Sequence, residues 1–561
     1  MASERHIPSR LLALVACGIL IAASACAPAA PAPSPGAPAQ APAQRPAAAP
    51  TPAAPPTPTA LAPRSGGTFI ILQGGNPPNF DTAATQNGLI QVAASPAYSK
   101  LVQFDPGAGK EIVPDLAEKW DVSADGTKYT FTIRKGVTWH DGKPLTEADV
   151  VYSLNRLLTP PKGTPSSIGA ILGPAVERVE SIDGRVILAL KYPFAPTLTV
   201  LAMDFSPIYP KHLADEGKDM RDVALGTGPF KFVSYTPSVS VEMARNPDYY
   251  MKGRPFMDGV SVRIIPDQQT RLSAMRTGRA HMTGRFSGTL SPSEVDALKK
   301  DVPNMQMFRS ATLRGPWLFW NLRIKPFQDI RVRQAVSLAL DRQAALKVVA
   351  EGAGKWGSVF PFDTWGLTQD ELAKLPGFSG QKEQDIAAAK KLLSEAGYAN
   401  GFSLSILSRG ERLTKNSAVF MASQLGYLGI NATVEVLEDA IFWKRGGDHQ
   451  FAAMVFTPGA TIPDPIIMTD YFVPGGRLDF VGNEDDSRLV EMWDVQRRSL
   501  DVAKRQETLK QVERYILTES YPALPVVWPY SFLAVAPNVH GWVSGPSDYS
   551  LNNLRDIWLE N

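Results

Sequence analysis

Cysteine is nearly absent: the 561 residues hold two, Cys17 and Cys26, both within the first 26 positions. The rest of the chain therefore has neither a disulfide nor a cysteine-based metal site, and its stability rests on the size of its core. Histidine is scarce as well. The 6 histidines are scattered, with no His-Glu-x-x-His and no pair at i, i+4, which excludes the zinc-hydrolase pattern. An excess of one charge is also lacking. The net charge is +2 and no long Lys/Arg run occurs, whereas nucleic-acid binding needs a concentrated basic face. There is no Gly-x-Ser-x-Gly elbow and no Walker A sequence, so neither a serine hydrolase of that type nor a P-loop nucleotidase is expected. No metal, cofactor or catalytic residue is expected.

Only one stretch looks directed at a membrane, and it lies at the N-terminus. Arg5 and Arg10 supply a basic region, and Leu11 to Ala25 form an uncharged apolar run too short for a comfortable span. Ala23-Ser24-Ala25-Cys26 resembles a bacterial lipobox, although Ala23 stands where Leu is usual. Leu14-Val15-Ala16-Cys17 fits that box better but leaves too short an apolar run before it. The expectation is a lipoprotein signal over residues 1–26 with lipidation at Cys26. Residues 27–63 are Ala, Pro, Thr, Ser and Gln almost throughout, with Arg45 the one charge. Such a composition buries no core and reads as an extended tether of about 100 Å at about 3.1 Å per residue.

From Arg64 onward, 44% apolar and 20% charged residues over the whole chain are ordinary for a globular protein, and the length calls for several domains. Tyr129, Phe131 and Ile133 alternate with Thr130, Thr132 and Arg134, the period of a half-buried strand. Asp125-Gly126, Asp141-Gly142 and Asp183-Gly184 read as tight turns. Thr146-x-x-Asp149 opens a helix over Val150–Leu158, and Ser291-Pro292-Ser293-Glu294 combines a capping box with proline at the first helical position. Ile386 to Ala396 is amphipathic and ends at Gly397, a left-handed cap. No repeat of 20–50 residues is visible. Mixed strands and helices imply α/β or α+β domains around clefts.

Three formal matches are rejected. Gly352-x-Gly354-x-x-Gly357 spells a dinucleotide fingerprint, but a helical stretch, Asp329 to Ala350, precedes it where a strand is required. His140 beside Asp141 reads as the close of a hairpin, not as an acid–base pair. Asn431-Ala432-Thr433 spells a glycosylation acceptor, a weak reading behind a bacterial-type signal.

Four ordered blocks carry a resemblance. The first runs from Leu116-Ala117-Glu118-Lys119-Trp120 through Lys128–Gly136 and Trp139–Thr146 to Asp149–Ser153. The second is Gly226–Lys231 with Arg245–Tyr250 and Ile264–Asp267. The third is Phe327–Ala335 with Ala339–Arg342, and the fourth is Ala389–Tyr398. Together they resemble the extracellular solute-binding proteins of family 5, the dipeptide/oligopeptide/nickel class, over nearly everything from Gly66 onward.

The resemblance implies an α/β, two-lobed, hinged periplasmic-binding-protein-like fold (type II, cluster C) with an extra inserted domain. Lobe I is expected over residues 64–97, 206–310 and 525–561, the insertion over 98–205, and lobe II over 311–524. It implies no catalysis. A small ligand, peptide or oligosaccharide/glycoside, would be captured in the interlobe cleft and delivered to the permease subunits of an ABC importer. The protein would be a monomer held by its lipid outside the cell, with no nucleic-acid partner. A sensor or chaperone-like lipoprotein and an exported hydrolase are the competing readings. Expected ligand contacts are Pro458 and Gly459, Asp439, Trp443 and Trp528, with Thr461. In peptide-binding members, the aspartate of Ala/Gly-Asp-x-x-Asp/Glu-Pro pairs with the peptide α-ammonium. The matching segment here is Ala460-Thr461-Ile462-Pro463-Asp464-Pro465, so a hydroxyl replaces that carboxylate. Losing such a buried partner is worth about 3–5 kcal/mol, so a neutral or hydroxyl-rich ligand, such as an oligosaccharide or other glycoside, is expected unless Asp439 or Asp464 substitutes.

Overall fold

The alternation at Lys128–Ile133 builds a strand whose Tyr129, Phe131 and Ile133 are buried. It stands in an antiparallel sheet ordered Ala117–Val122, Lys128–Ile133, Arg185–Leu190, Val176–Ile182. Asp125-Gly126 and Asp183-Gly184 close its two hairpins, with Asp183 and both glycines at positive φ. In this computed structural model the described residues are 62–560, apart from 85–86, 108–110, 163–165, 286–288, 311–313, 362–364, 460–461, 472, 475–479, 483–484 and 546–551. The proposed signal, both cysteines, the tether up to Leu61, and Thr461 lie outside them.

A second sheet places Thr68–Gln73 parallel to Gly259–Ile264, followed by antiparallel Ser240–Arg245 and Phe230–Thr236. A third orders Asn431–Leu437, Ser403–Arg409, Ala453–Phe456, Trp317–Trp320 and Ala523–Pro525. Its first three strands are parallel and Trp317–Trp320 runs against both of its neighbours. The chain passes between the second and third sheet systems twice. The passages run side by side: Gln306–Ser310 pairs with Ser531–Val535, and Trp317–Phe319 pairs with Ala523–Pro525.

Caps explain where the helices begin. Thr146 and Asp149 form the box that opens Glu147–Leu158, and Ser291 and Glu294 form the one that opens Pro292–Asp301. The expected helical stretch from Asp329 to Ala350 is two helices, Ile330–Ala339 and Arg342–Val349. Leu340 leaves helical geometry, and the Asp341 carboxylate accepts from the Ala344 amide at 2.9 Å, starting a new helix. Gly352 to Gly357 then forms a turn into the strand Gly354–Trp356, so no helix N-terminus meets those glycines. Lys382–Glu395 ends as expected, with Gly397 at φ 87°.

His140 is structural. Its Nδ1 accepts from the Gly226 amide at 3.4 Å, and its Nε2 faces the Gly228 carbonyl at 3.0 Å. That pairing fixes the neutral Nε2–H tautomer and ties the Trp139–Thr146 turn to Gly226–Pro229. Burial lowers its pKa to about 4.

Candidate functional site

The parallel edge of the third sheet delivers three chain segments to one place. Ala453–Phe456 ends at Thr457, Ser403–Arg409 leads into the helix Arg412–Gly426, and Arg314 precedes Trp317–Trp320. Opposite them stand the start of the helix Pro292–Asp301 and the strand Ser531–Val535. These segments, with Ala350 and Glu351, enclose a cavity of about 250 Å³. It lies beside the two chain passages, where the second and third sheet systems meet.

Its charged lining is three arginines, Arg285, Arg314 and Arg412, against Glu351 and Glu411. Both carboxylates are engaged. Glu411 is the N-cap of its helix and accepts from the Leu413 and Thr414 amides at 2.9 and 3.0 Å and from the Thr414 hydroxyl at 2.6 Å. Glu351 accepts from the Ser293 amide at 3.2 Å and pairs with Arg412 at 3.5 Å. Arg285 is buried, 5.7 Å from the Trp542 ring.

The residues singled out in the sequence form two groups. Asp439 and Trp443 share one helix, Asp439–Gly447, and meet at Arg409. The Arg409 guanidinium donates to Asp439 at 2.8 and 2.5 Å and lies 5.5 Å from the Trp443 ring centre. That hydrogen-bonded pair holds the Asp439 carboxyl below its usual pKa. The Asp439 side chain is 57% exposed. Trp443 is 37% exposed and packs on Phe456 and Phe480.

Pro458, Gly459 and Trp528 lie around Arg314. The Pro458 carbonyl accepts from the Gly315 amide at 3.4 Å. Gly459 bridges to Arg314, and a Cβ at Gly459 would stand 3.2 Å from the Arg314 Cγ, so glycine makes room for the arginine stem. Trp528 is 2% exposed, donates from Nε1 to the Ser358 carbonyl at 2.7 Å, and packs edge-on against Trp317. Its ring lies where a Cβ on Gly315 would come within 2.6 Å, so only glycine fits beneath Arg314. In this structure the Trp528 indole serves the core, while the following Pro529-Tyr530 lines the cavity.

Asp464, the other carboxylate in question, is buried. It takes Arg505 bidentately, at 2.8 and 2.6 Å, and also accepts from the Ile466 amide at 2.9 Å. Sequence reasoning missed Arg314, Arg412 and Glu351, which come from separate segments without a motif. Among the described residues, no three His, Cys, Asp or Glu side chains are grouped to hold a metal ion. No helix among them is long and apolar enough to cross a membrane.

The chain is similar to known proteins over most of its length. The model for bacterial extracellular solute-binding proteins, family 5 middle region, matches residues 111–479. The heme-binding protein A of Haemophilus influenzae is 29% identical over 520 residues, covering 86% of this chain and 91% of that protein. The di/tripeptide-binding protein 2 of Pseudomonas aeruginosa is 30% identical over 503 residues, covering 84% and 91%. Among solved structures, the ABC transporter-associated periplasmic binding protein DppA from Helicobacter pylori, in complex with the peptide STSA, superposes with a TM-score of 0.74. It is 29% identical, with 89% of this chain and 99% of that one covered. AgaA from A. tumefaciens R10, in complex with agropinic acid, gives a TM-score of 0.72 at 25% identity, covering 88% and 99%. The α/β architecture is thus that of the two-lobed periplasmic binding proteins. The chain belongs to the bacterial extracellular solute-binding proteins of family 5, which bind a small solute for delivery to an ABC importer.

Proposed function

We propose that the solute is captured in the cavity beside the two chain passages and held without a free-amine anchor. The observation that carries this reading is the engagement of both candidate replacement carboxylates: Asp439 by Arg409 and Asp464 by Arg505. With Thr461 at the anchor position, a peptide ammonium would enter without its counter-charge. At about 3–5 kcal/mol for a broken buried pair and about 1.4 kcal/mol per tenfold, affinity falls by roughly two to three orders of magnitude. An N-blocked peptide or a glycoside suits the site better. Relatives are named for heme and di/tripeptides, and one neighbour holds agropinic acid, so family membership alone sets no ligand.

The rest of the reading follows the same logic. Lobes over 64–97/206–310/525–561 and 311–524, with an insertion over 98–205, close about the paired passages. A ligand touching both lobes favours the closed state by its differential affinity. The protein works as a monomer without catalysis, anchored through Cys26 outside the cell. Pro458, Gly459, Asp439, Trp443, Thr461 and Trp528 are proposed to shape the closed site. Calorimetry with free-amine peptides, their N-acetylated counterparts and neutral and acidic oligosaccharides tests the proposal. N-acetylation is expected to leave affinity unchanged or improved. Submicromolar binding of free-amine peptides, lost on acetylation, refutes it.

A further inference from the structure

We infer that the ligand carries an anionic group, a carboxylate or a phosphate ester, and that Arg314 receives it. The inference rests on the proposed capture site and adds the charge of what enters it. The cavity's lining has more guanidinium groups than carboxylates, and each of its carboxylates already has partners. The amides that two helix N-termini would offer an anion are engaged as well. Ser293 N–H donates to Glu351, and Leu413 and Thr414 N–H donate to Glu411. Arg412 pairs with Glu351. Arg314 differs from all of these. It is exposed, it lines the cavity, and among the described residues no hydrogen bond or ion pair holds its guanidinium.

Its backbone and stem are nevertheless fixed. Arg314 bridges to Gly459, its Cγ lies against that glycine, and Gly315 sits on the Trp528 ring. A fixed stem with an open planar fork loses little entropy on binding, and a guanidinium matches the two oxygens of a carboxylate or phosphate bidentately. Arg314 also stands at the passage from Gln306–Ser310 to Trp317–Trp320, between the two sheet systems. An anion held by Arg314 in this cavity therefore lies between segments of both sheet systems.

The test uses the mature chain and a defined library. N-acetylated peptides and uronic-acid oligosaccharides are presented as free acids and as their carboxamides, beside sugar phosphates and the parent neutral sugars. Captured molecules are read by native mass spectrometry, and hits are titrated by calorimetry at two salt concentrations. Charged members are expected in the captured fraction and their neutral counterparts are not, with affinity falling as salt rises. Acids without phosphates identify a carboxylate site, and the converse identifies a phosphate site. Arg314→Ala should lose tenfold or more in affinity for the charged hit, and Arg314→Lys should recover part of it. The exposed Lys415→Ala serves as the control for a lost surface charge and should bind as the parent does. An unchanged melting curve for Arg314→Ala accompanies the expected result and separates lost binding from lost folding. Equal capture of acids and carboxamides, or parent-like affinity in Arg314→Ala, overturns the inference while leaving the capture site standing. An empty captured fraction overturns the capture site itself, and the inference with it.

Discussion

Replacing Asp464 with alanine removes one half of a buried ion pair. Among the described residues, the Arg505 guanidinium then keeps the Gln496 Oε1, at 3.0 Å, and the Trp365 face, 4.8 Å away. Neither neutralises a charge. Breaking one side of such a pair costs about 3–5 kcal/mol, chiefly because an uncompensated ion stays buried. At about 1.4 kcal/mol per tenfold, the unfolding equilibrium shifts by roughly two to three orders of magnitude. The assay is urea unfolding followed by tryptophan fluorescence, in the Asp464→Ala, Arg505→Met and Asp464→Leu/Arg505→Met variants. The double variant should recover most of the loss, because well-packed apolar residues replace a buried pair at little cost. A loss below about 1 kcal/mol in Asp464→Ala, or two single losses that simply add in the double variant, refutes the reasoning. Unchanged stability with a lost affinity for free-amine peptides would show Asp464 to be a ligand anchor instead.

Asp439→Ala should change stability by less than about 1 kcal/mol in the same unfolding assay, since its pair with Arg409 is exposed and screened. Glu513 is fully buried, and burial raises its pKa from 4.5 to about 7 although Ser358 and the Val359 and Leu367 amides all donate to it. The folded state thus binds its proton more tightly than the unfolded chain does. That contribution is complete below about pH 4.5 and is lost as pH rises through about 7, by at most about 3 kcal/mol. Melting curves over that range should show the slope, and Glu513→Gln should flatten it. Cys26→Ser should move the protein from the membrane fraction to the soluble fraction, whereas Cys17→Ser should leave it membrane-bound.

Local structure was legible wherever a short pattern determines it. Alternation fixed the strand Lys128–Ile133, and side chains three residues apart fixed the caps at Thr146 and Ser291. The start of a second helix at Asp341 was not legible, because apolar spacing continues across Leu340 and the Asp341 cap alone marks it. The family was legible from ordered blocks, yet those blocks mostly do scaffold work, as His140 shows by gluing its turn to Gly226 and Gly228. The charge of the cavity was not legible. Arg314, Glu351 and Arg412 lie far apart in the chain, each in an unremarkable context, and only the third sheet and its passages bring them together. Which way Trp528 faces was not legible, because its neighbours Val527 and Pro529 carry no sign of it. Gly315, two segments away, leaves it space in the core.

The side-by-side passages also set an order of assembly. Among the described residues, Gln306–Ser310 finds its strand partner in Ser531–Val535, and the Gln306 side chain donates to the Ala536 carbonyl 230 positions further along. A chain emerging from the ribosome or a translocase with its N-terminus first holds the earlier strand while more than 200 further residues emerge before the later one arrives. Loop closure over such a span is slow. The two-stranded ladder of Gln306–Ser310 and Ser531–Val535 is therefore begun early and sealed last. Until then its apolar edge stays open to wrong partners, a window in which a holding chaperone or continued passage through a pore protects the chain.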